Sequence, residues 1–160
     1  MRIGMLTSGG DCQSLNATMR GVAKALYKMF EDVEIIGFED GYKGLMYADY
    51  QIMKPSDFSG ILTKGGTILG TSRQPFKLMR VPDENGLDKV EAMKHTYRKL
   101  KLECLVVLGG NGTVKERVKL CRILDLDMLS DIFEHTDEKE AAEYLNEIDV
   151  KKAALILSAM

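Results

Sequence analysis

The 160-residue sequence has no apolar stretch long enough to span a bilayer, and its N-terminal apolar run is shorter than the core of a signal peptide. These absences predict a cytosolic protein. The chain also lacks a strong excess of one charge: 22 Lys and Arg stand against 24 Asp and Glu, a formal net charge of −2. Without a polybasic run, it does not fit a protein whose main partner is nucleic acid or an anionic membrane surface.

Cysteine and histidine are scarce. Cys12, Cys104 and Cys121 are odd in number and lack zinc-ligand spacing, which argues against a disulfide framework or a zinc site. Cys104 lies in an apolar run and is predicted to be a buried thiol. Cys12 follows a glycine pair at a strand–helix junction, where thiols can be reactive, but an unreactive thiol is the favoured interpretation. His95 and His135 stand alone on helical segments, so both are predicted to be surface residues.

Glycine and proline are missing from the last 48 residues. All 15 glycines lie at or before Gly112, and all three prolines lie at or before Pro82. Charge divides at the same point, because residues 1–112 carry 15 basic and 13 acidic side chains, a net of +2, and residues 113–160 carry 7 and 11, a net of −4. The chain therefore has two compositional parts.

The glycine-containing part alternates between strand and helix patterns. Arg2–Leu6 and Val33–Phe38 predict strands, and Leu15–Met29 and Asp88–Leu100 predict helices. Leu102–Leu108 is nearly all apolar, which predicts a strand buried on both faces. Strand, glycine turn and helix in succession are typical of a parallel α/β fold.

Glycine-rich turns and loops connect these elements, and two of the strands end in a glycine pair. The turns and loops are Ser8-Gly9-Gly10-Asp11, a loop around Gly41, Tyr42 and Gly44, a loop from Lys64 to Arg73, and Gly109-Gly110-Asn111-Gly112-Thr113. Glycines let the backbone approach a ligand closely, and the N–H groups of a following helix favour phosphate. A single glycine pair would only indicate a tight turn, but several such loops favour a polyphosphate site. There is no GxxxxGK[ST] P-loop. Arg73 is the candidate phosphate-binding cation, with a surface salt bridge as its alternative.

Four segments, in order, resemble the first four signature blocks of 6-phosphofructokinase. They are Leu6-Thr-Ser-Gly-Gly-Asp-Cys-Gln-Ser-Leu-Asn-Ala17, Asp40-Gly-Tyr-Lys-Gly-Leu45, Gly65-Gly-Thr-Ile-Leu-Gly-Thr-Ser-Arg73 and Gly109-Gly-Asn-Gly-Thr113. The resemblance implies a Rossmann-like parallel sheet with helices on both faces. It also implies transfer of the γ-phosphoryl group of ATP to fructose 6-phosphate, with Mg²⁺.

The resemblance also assigns candidate site residues. Those expected to contact ATP are Gly10, Tyr42, Arg73, Gln74, Gly110, Asn111, Gly112 and Thr113. Asn111 stands where the family usually has the aspartate that serves Mg²⁺, and a neutral amide is expected to weaken metal binding. Gly112 matches the ATP-using branch rather than the pyrophosphate-using branch, which places a bulkier acidic residue there.

Two further departures from the family pattern concern the first block and the bacterial effector site. Gln13-Ser14 replaces the family's common Pro-Gly. Arg20, Lys24 and Lys64 map to basic positions of the effector site, but lysine lacks the bidentate fork of arginine. This puts regulation by ADP or phosphoenolpyruvate in question.

The resemblance covers residues 1–117, which are predicted to form a nucleotide-binding half-domain. Residues 118–160 are predicted to be an all-helical tail that resembles the short-helix repeats of MgtE-type cytosolic domains, with a generic amphipathic tail as the alternative. The family's Thr-Ile-Asp-Asn-Asp block, whose first aspartate is the general base, is absent from this sequence. The tail's apolar stripe is expected to be covered by self-association, a partner or the α/β part.

Two functions remain open. The first is 6-phosphofructokinase, represented by an N-terminal part that is inactive alone because phosphoryl transfer depends on positioning and charge stabilisation from the whole site. The tail then reflects a fusion, a frameshift or a gene-model error. The second is a catalytically silent nucleotide-binding or protein-interaction module.

Overall fold

A computed structural model describes residues 1–10 and 14–109. Its strands are β1 (Arg2–Ser8), β2 (Glu34–Phe38), β3 (Tyr50–Met53) and β4 (Cys104–Gly109). Its helices are α1 (Leu15–Met29), α2 (Tyr42–Tyr47), a 3-10 helix (Pro55–Phe58), α3 (Phe76–Met79) and α4 (Lys89–Lys99). The predicted helical tail, His135, Cys12 and Cys121 lie outside the described residues.

The four strands form one sheet in the order β3-β2-β1-β4. β1 runs parallel to β2, with Ile3 opposite Ile35, and parallel to β4, with Ser8 opposite Gly109. This α/β arrangement confirms the predicted fold class. The sheet is mixed rather than wholly parallel, however, because β3 pairs antiparallel with β2. Sequence patterns missed β3 because three of its four residues are exposed and show no apolar alternation.

One face of the sheet packs against α1. Met5 and Ile35 from the central strands contact a cluster that includes Met19 and Ala23 of α1 and Phe58 of the 3-10 helix. The helix has its predicted bounds because its apolar residues recur every three to four positions. Burial of this stripe holds the start of α1 beside the end of β1.

The predicted loop around Gly41, Tyr42 and Gly44 is in fact the start of helix α2. Gly44 lies inside this helix, where a Cβ would come within 2.2 Å of the Glu39 carbonyl oxygen. The glycine therefore serves close backbone packing and not a loop. A six-residue helix is too short to show a helical period, so the sequence pattern could not predict it.

The prediction that the last strand is buried on both faces is wrong. β4 has partly exposed residues from Leu105 to Leu108, and it lies at one end of the described sheet. Cys104 is exposed and not the buried thiol that its apolar neighbours predicted. Partial burial of its side chain and the adjacent Glu103 nevertheless raise the pKa of the thiol, which opposes thiolate formation.

Helix α4 begins and ends within one residue of its prediction. Val90, Met93 and Leu100 are buried, as the apolar spacing indicated, and His95 is exposed, as predicted. No helix in the described ranges is long and apolar enough to cross a bilayer.

Candidate functional site

The first and third glycine loops meet where β1 ends. Gly9 has a left-handed backbone with φ +91°, and its carbonyl oxygen accepts a hydrogen bond of 2.9 Å from the Thr71 hydroxyl. Four residues before Thr71 in the third loop, the Thr67 hydroxyl lies 3.0 Å from the hydroxyl of Thr7, a fully buried residue of β1. The Thr7 hydroxyl in turn donates to the Gly70 carbonyl. These threonines hold the third loop against the end of the strand.

The second loop is attached to the same place. Asp40 donates its backbone N–H to the Leu69 carbonyl at 2.8 Å, and the Asp40 carbonyl accepts a hydrogen bond from the Ser72 hydroxyl. Gly41, with φ +66°, lies so close to β1 that a Cβ there would come within 2.4 Å of the Thr7 carbonyl oxygen. The three loops thus converge at the end of β1.

Arg73 lies next to Gly10 within this convergence. A Cβ placed on Gly10 would be 3.9 Å from Nη2 of Arg73, so a side chain at this position would lie against the guanidinium. Arg73 is exposed, and no carboxylate in residues 1–10 or 14–109 lies within 4 Å of it. The surface salt bridge that was its alternative role is therefore not formed in this part of the chain. An exposed arginine without a carboxylate partner in the described residues is suited to bind phosphate oxygens.

Tyr42 and Gln74 are placed differently. Tyr42 is 3% exposed and belongs to the core, so its ring has little surface to offer a ligand. Gln74 follows Arg73 directly and is partly exposed. Their contact with a nucleotide stays a prediction from the resemblance.

The fourth loop begins beside the first, because Gly109 is paired with Ser8 in the sheet. Parallel strands bring their carboxyl ends to the same edge, so Gly109 lies at the edge of the sheet where β1 ends. Gly110, Asn111, Gly112 and Thr113 lie outside the described residues. No cluster of three or more His, Cys, Asp or Glu that could hold a metal ion occurs in residues 1–10 and 14–109.

The start of α1 contributes less to an anion site than expected. The backbone N–H of Asn16, in the first turn, is not free, because it donates to the Gly66 carbonyl at 3.2 Å. The Asn16 side chain, which is 2% exposed, binds the same loop. Sequence reasoning did not single out Asn16. Its available signal was a polar residue on the buried stripe of α1, between Leu15 and Met19.

A second concave feature lies between α1 and the 3-10 helix. This cleft of about 400 Å³ is lined by Arg20, Ala23, Lys24, Tyr27, Lys28, Pro55, Phe58 and Ser59. Its three cations favour an anionic occupant. Burial and the nearby Asp57 raise the pKa of Tyr27, whose hydroxyl donates to the Met53 carbonyl at 3.1 Å. Of the three predicted effector residues, Arg20 and Lys24 line the cleft and Lys64 does not.

Comparisons with known proteins agree with these features. A family profile described as Phosphofructokinase matches residues 2–129. The chain belongs to the phosphofructokinase family. The match extends beyond residue 117, where the motif resemblance ended. The predicted boundary between residues 117 and 118 stays a prediction.

Two relatives that are similar in sequence are named ATP-dependent 6-phosphofructokinases. An ATP-dependent 6-phosphofructokinase of Spirochaeta thermophila is 56% identical over 119 residues, which are 70% of this chain and 31% of that protein. ATP-dependent 6-phosphofructokinase 3 of Bacteroides thetaiotaomicron is 43% identical over 120 residues, which are 74% of this chain and 35% of that protein. The chain thus spans about a third of the length of these relatives.

Solved structures support the fold. Phosphofructokinase from Pichia pastoris, in the T-state, matches with a TM-score of 0.61 and 27% identity, over 74% of this chain and 13% of that one. Phosphofructokinase from Saccharomyces cerevisiae matches with a TM-score of 0.65 and 24% identity, over 89% of this chain and 18% of that one. At this identity the match supports the fold alone.

Proposed function

We propose that this chain supplies part of the ATP site of a 6-phosphofructokinase, which transfers the γ-phosphoryl group of ATP to fructose 6-phosphate to give fructose 1,6-bisphosphate in glycolysis. The observation that carries the proposal is Arg73, which lies beside Gly10 where three glycine loops converge. The names of the relatives support ATP as the donor. A cytosolic location is part of the proposal and rests on the sequence.

The chemistry assigned to this site is binding and charge stabilisation. Phosphoryl transfer needs the phosphates held in line and their growing charge neutralised. The Arg73 guanidinium offers a planar fork of N–H donors that matches two phosphate oxygens, and Gly10 keeps side-chain atoms out of the way. Gly110, Gly112 and Thr113 would add contacts from the neighbouring loop.

Mg²⁺ would supply further neutralisation of phosphate charge when bound. Asn111 is the residue proposed to face it, because an amide oxygen can serve as a ligand for a hard cation. A carboxylate would bind the ion more strongly, so replacing Asn111 with Asp is expected to increase Mg²⁺-dependent ATP affinity.

The 160-residue chain is proposed to bind ATP without turning it over. Its sequence contains no Thr-Ile-Asp-Asn-Asp block to provide the general base. Without a base and an acceptor site, the nucleotide would be bound but the sugar hydroxyl would not be activated. A coupled assay that shows turnover dependent on ATP and fructose 6-phosphate would contradict this.

ATP binding is tested by calorimetry on the full chain with three arginine variants. Arg73→Ala is expected to weaken ATP binding by about tenfold or more, because charge-assisted hydrogen bonds are lost. Arg73→Lys should recover part of the affinity through its charge. Arg80→Ala, at another exposed arginine near α3, is the matched control and should bind as the unmodified chain does. Absence of binding at millimolar ATP would reject the proposal, and binding without turnover identifies the chain as a nucleotide-binding module.

The cleft beside α1 is proposed to bind an anionic effector such as ADP or phosphoenolpyruvate. Arg20→Ala and Lys24→Ala should weaken that binding, because both residues line the cleft. Lys64→Ala should leave it unchanged, since Lys64 does not. Equal losses in all three variants would show that the effector binds elsewhere.

A further inference from the structure

We propose that Asn16 is a positioning residue that holds the third glycine loop in place and thereby sets Arg73 beside Gly10. The inference rests on the proposed ATP site. Asn16 itself is 2% exposed and is not expected to touch the nucleotide. Its role is to act through the segment Lys64–Arg73.

Asn16 makes four hydrogen bonds to one short stretch of this segment. Its side-chain Nδ2 donates to the carbonyl oxygens of Lys64 and Gly65 at 3.1 and 3.3 Å. Its Oδ1 accepts from the N–H of Ile68 at 2.8 Å, and its own backbone N–H donates to the Gly66 carbonyl at 3.2 Å. One residue thus satisfies three carbonyls and one amide of a loop that has no regular structure to pair them.

The side chain of asparagine suits this task. It combines two donors and an acceptor on one planar group, so it can bind carbonyls and an N–H at once. Aspartate would keep the acceptor for Ile68 and would lose both donors. Alanine would lose all three side-chain bonds, and burial makes such losses costly because water replaces them poorly.

The anchored stretch leads directly to the phosphate-binding arginine. Ile68 precedes Arg73 by five positions, and between them the carbonyls of Leu69 and Gly70 and the hydroxyls of Thr71 and Ser72 bind other segments. Asn16 fixes the start of the segment, and Thr71 fixes its end to Gly9. Freeing the start is expected to widen the range of positions that Arg73 occupies.

The first test measures hydrogen exchange of the 160-residue chain. In Asn16→Ala, amides within residues 64–73 are expected to exchange about tenfold faster, while amides of β2 and α4 keep their rates. Asn16→Ser keeps one hydroxyl that can form a hydrogen bond, so it should give a smaller increase of the same pattern, and it covers the case in which the alanine variant folds poorly. Asn85→Ala, at an exposed asparagine, is the control. Unchanged exchange in 64–73, or an equal increase throughout the chain, would overturn the anchoring role.

The second test asks whether Asn16 acts through Arg73. ATP affinity is measured for Asn16→Ser, Arg73→Ala and the double variant. Asn16→Ser adds no charge; alone it is expected to weaken binding by about three- to tenfold, and the same change should have almost no effect when Arg73 is already alanine. Additive losses would show a general effect on the fold and would overturn the inference while the ATP site stands. If the unmodified chain binds no ATP, the proposed function fails and the positioning role fails with it.

Discussion

Gly41 is the residue whose replacement has the clearest structural consequence. Its φ of +66° is rarely adopted by other residues, and a Cβ would come within 2.4 Å of the Thr7 carbonyl oxygen. The glycine therefore meets two requirements at once. It turns the chain after β2, and it lets the second loop touch the end of β1.

Gly41→Ala is expected to lower the free energy of unfolding by more than about 3 kcal/mol, because backbone strain and a steric clash add together. Gly60→Ala is the matched control. Gly60 has φ +72° but nothing within 4 Å of a Cβ, so only strain of about 1 kcal/mol applies. Urea unfolding measures both variants. Equal losses would show that contact with Thr7 does not matter.

Asp83 is expected to make the free energy of unfolding depend on pH in the acidic range. The N–H of Leu87 and the Tyr47 hydroxyl hold its pKa below the ordinary value, with help from the N–H of Asn85 and from Lys89. A lowered pKa in the folded state means that the stabilisation is present above the unfolded-state pKa. It is lost as pH falls through the lower folded-state pKa.

The unfolding free energies of the unmodified chain and Asp83→Asn should therefore differ at pH 7 and converge as pH falls below about 4. Tyr47→Phe removes one donor and should reduce this acid-dependent difference. Urea unfolding at a series of pH values makes the measurement. A difference in unfolding free energy that stays constant from pH 7 to below pH 4 would show that Asp83 is not the source of the pH dependence.

Among the secondary-structure elements, α1 connects the two candidate sites. Its first turn, at Asn16, binds the third glycine loop, and its middle turns, with Arg20 and Lys24, line the cleft against the 3-10 helix. A single helix thus carries residues of both candidate sites. The sequence predicted its bounds correctly, because the apolar period is strong over 15 residues.

Helix α4 begins at a side-chain cap that can be removed cleanly. The Asp88 carboxylate accepts hydrogen bonds from the N–H groups of Val90 and Glu91, at 3.0 and 3.1 Å. Asp88→Ala is expected to lower the unfolding free energy by about 1 kcal/mol. Asp88→Ser should retain most of the stabilisation that the cap provides, because serine is also a good N-cap residue. Thermal and urea unfolding compare the two variants. An alanine variant as stable as the unmodified chain would show that packing alone starts this helix.

At the scale of the whole molecule, both ends of the described sheet expose apolar surface. Ile52 of β3 is 55% exposed, and β4 is only partly covered. Open edges and apolar patches favour association between chains. Self-association therefore stays a prediction for the 160-residue chain.

Light scattering across a range of protein concentrations tests the predicted self-association. The unmodified chain is expected to show a mass above that of a monomer, and Ile52→Lys should reduce that mass by placing charge on the edge strand. Val81→Lys changes an apolar residue of similar exposure, 50%, outside the sheet and serves as control. A monodisperse monomer at all concentrations would contradict the prediction, and an equal effect of both variants would exclude the β3 edge.

The sequence by itself determined the features that are local in the chain. Strong apolar periods predicted β1, β2, α1 and α4, and glycine turns with short polar residues predicted that loops meet at one edge of the sheet. Tertiary structure decided the features that depend on distant partners. The antiparallel pairing of β3 with β2 and the four bonds of Asn16 to the third loop join residues 12 or more positions apart in sequence. Such contacts leave no periodic signal, because they are set by the packing of one backbone against another.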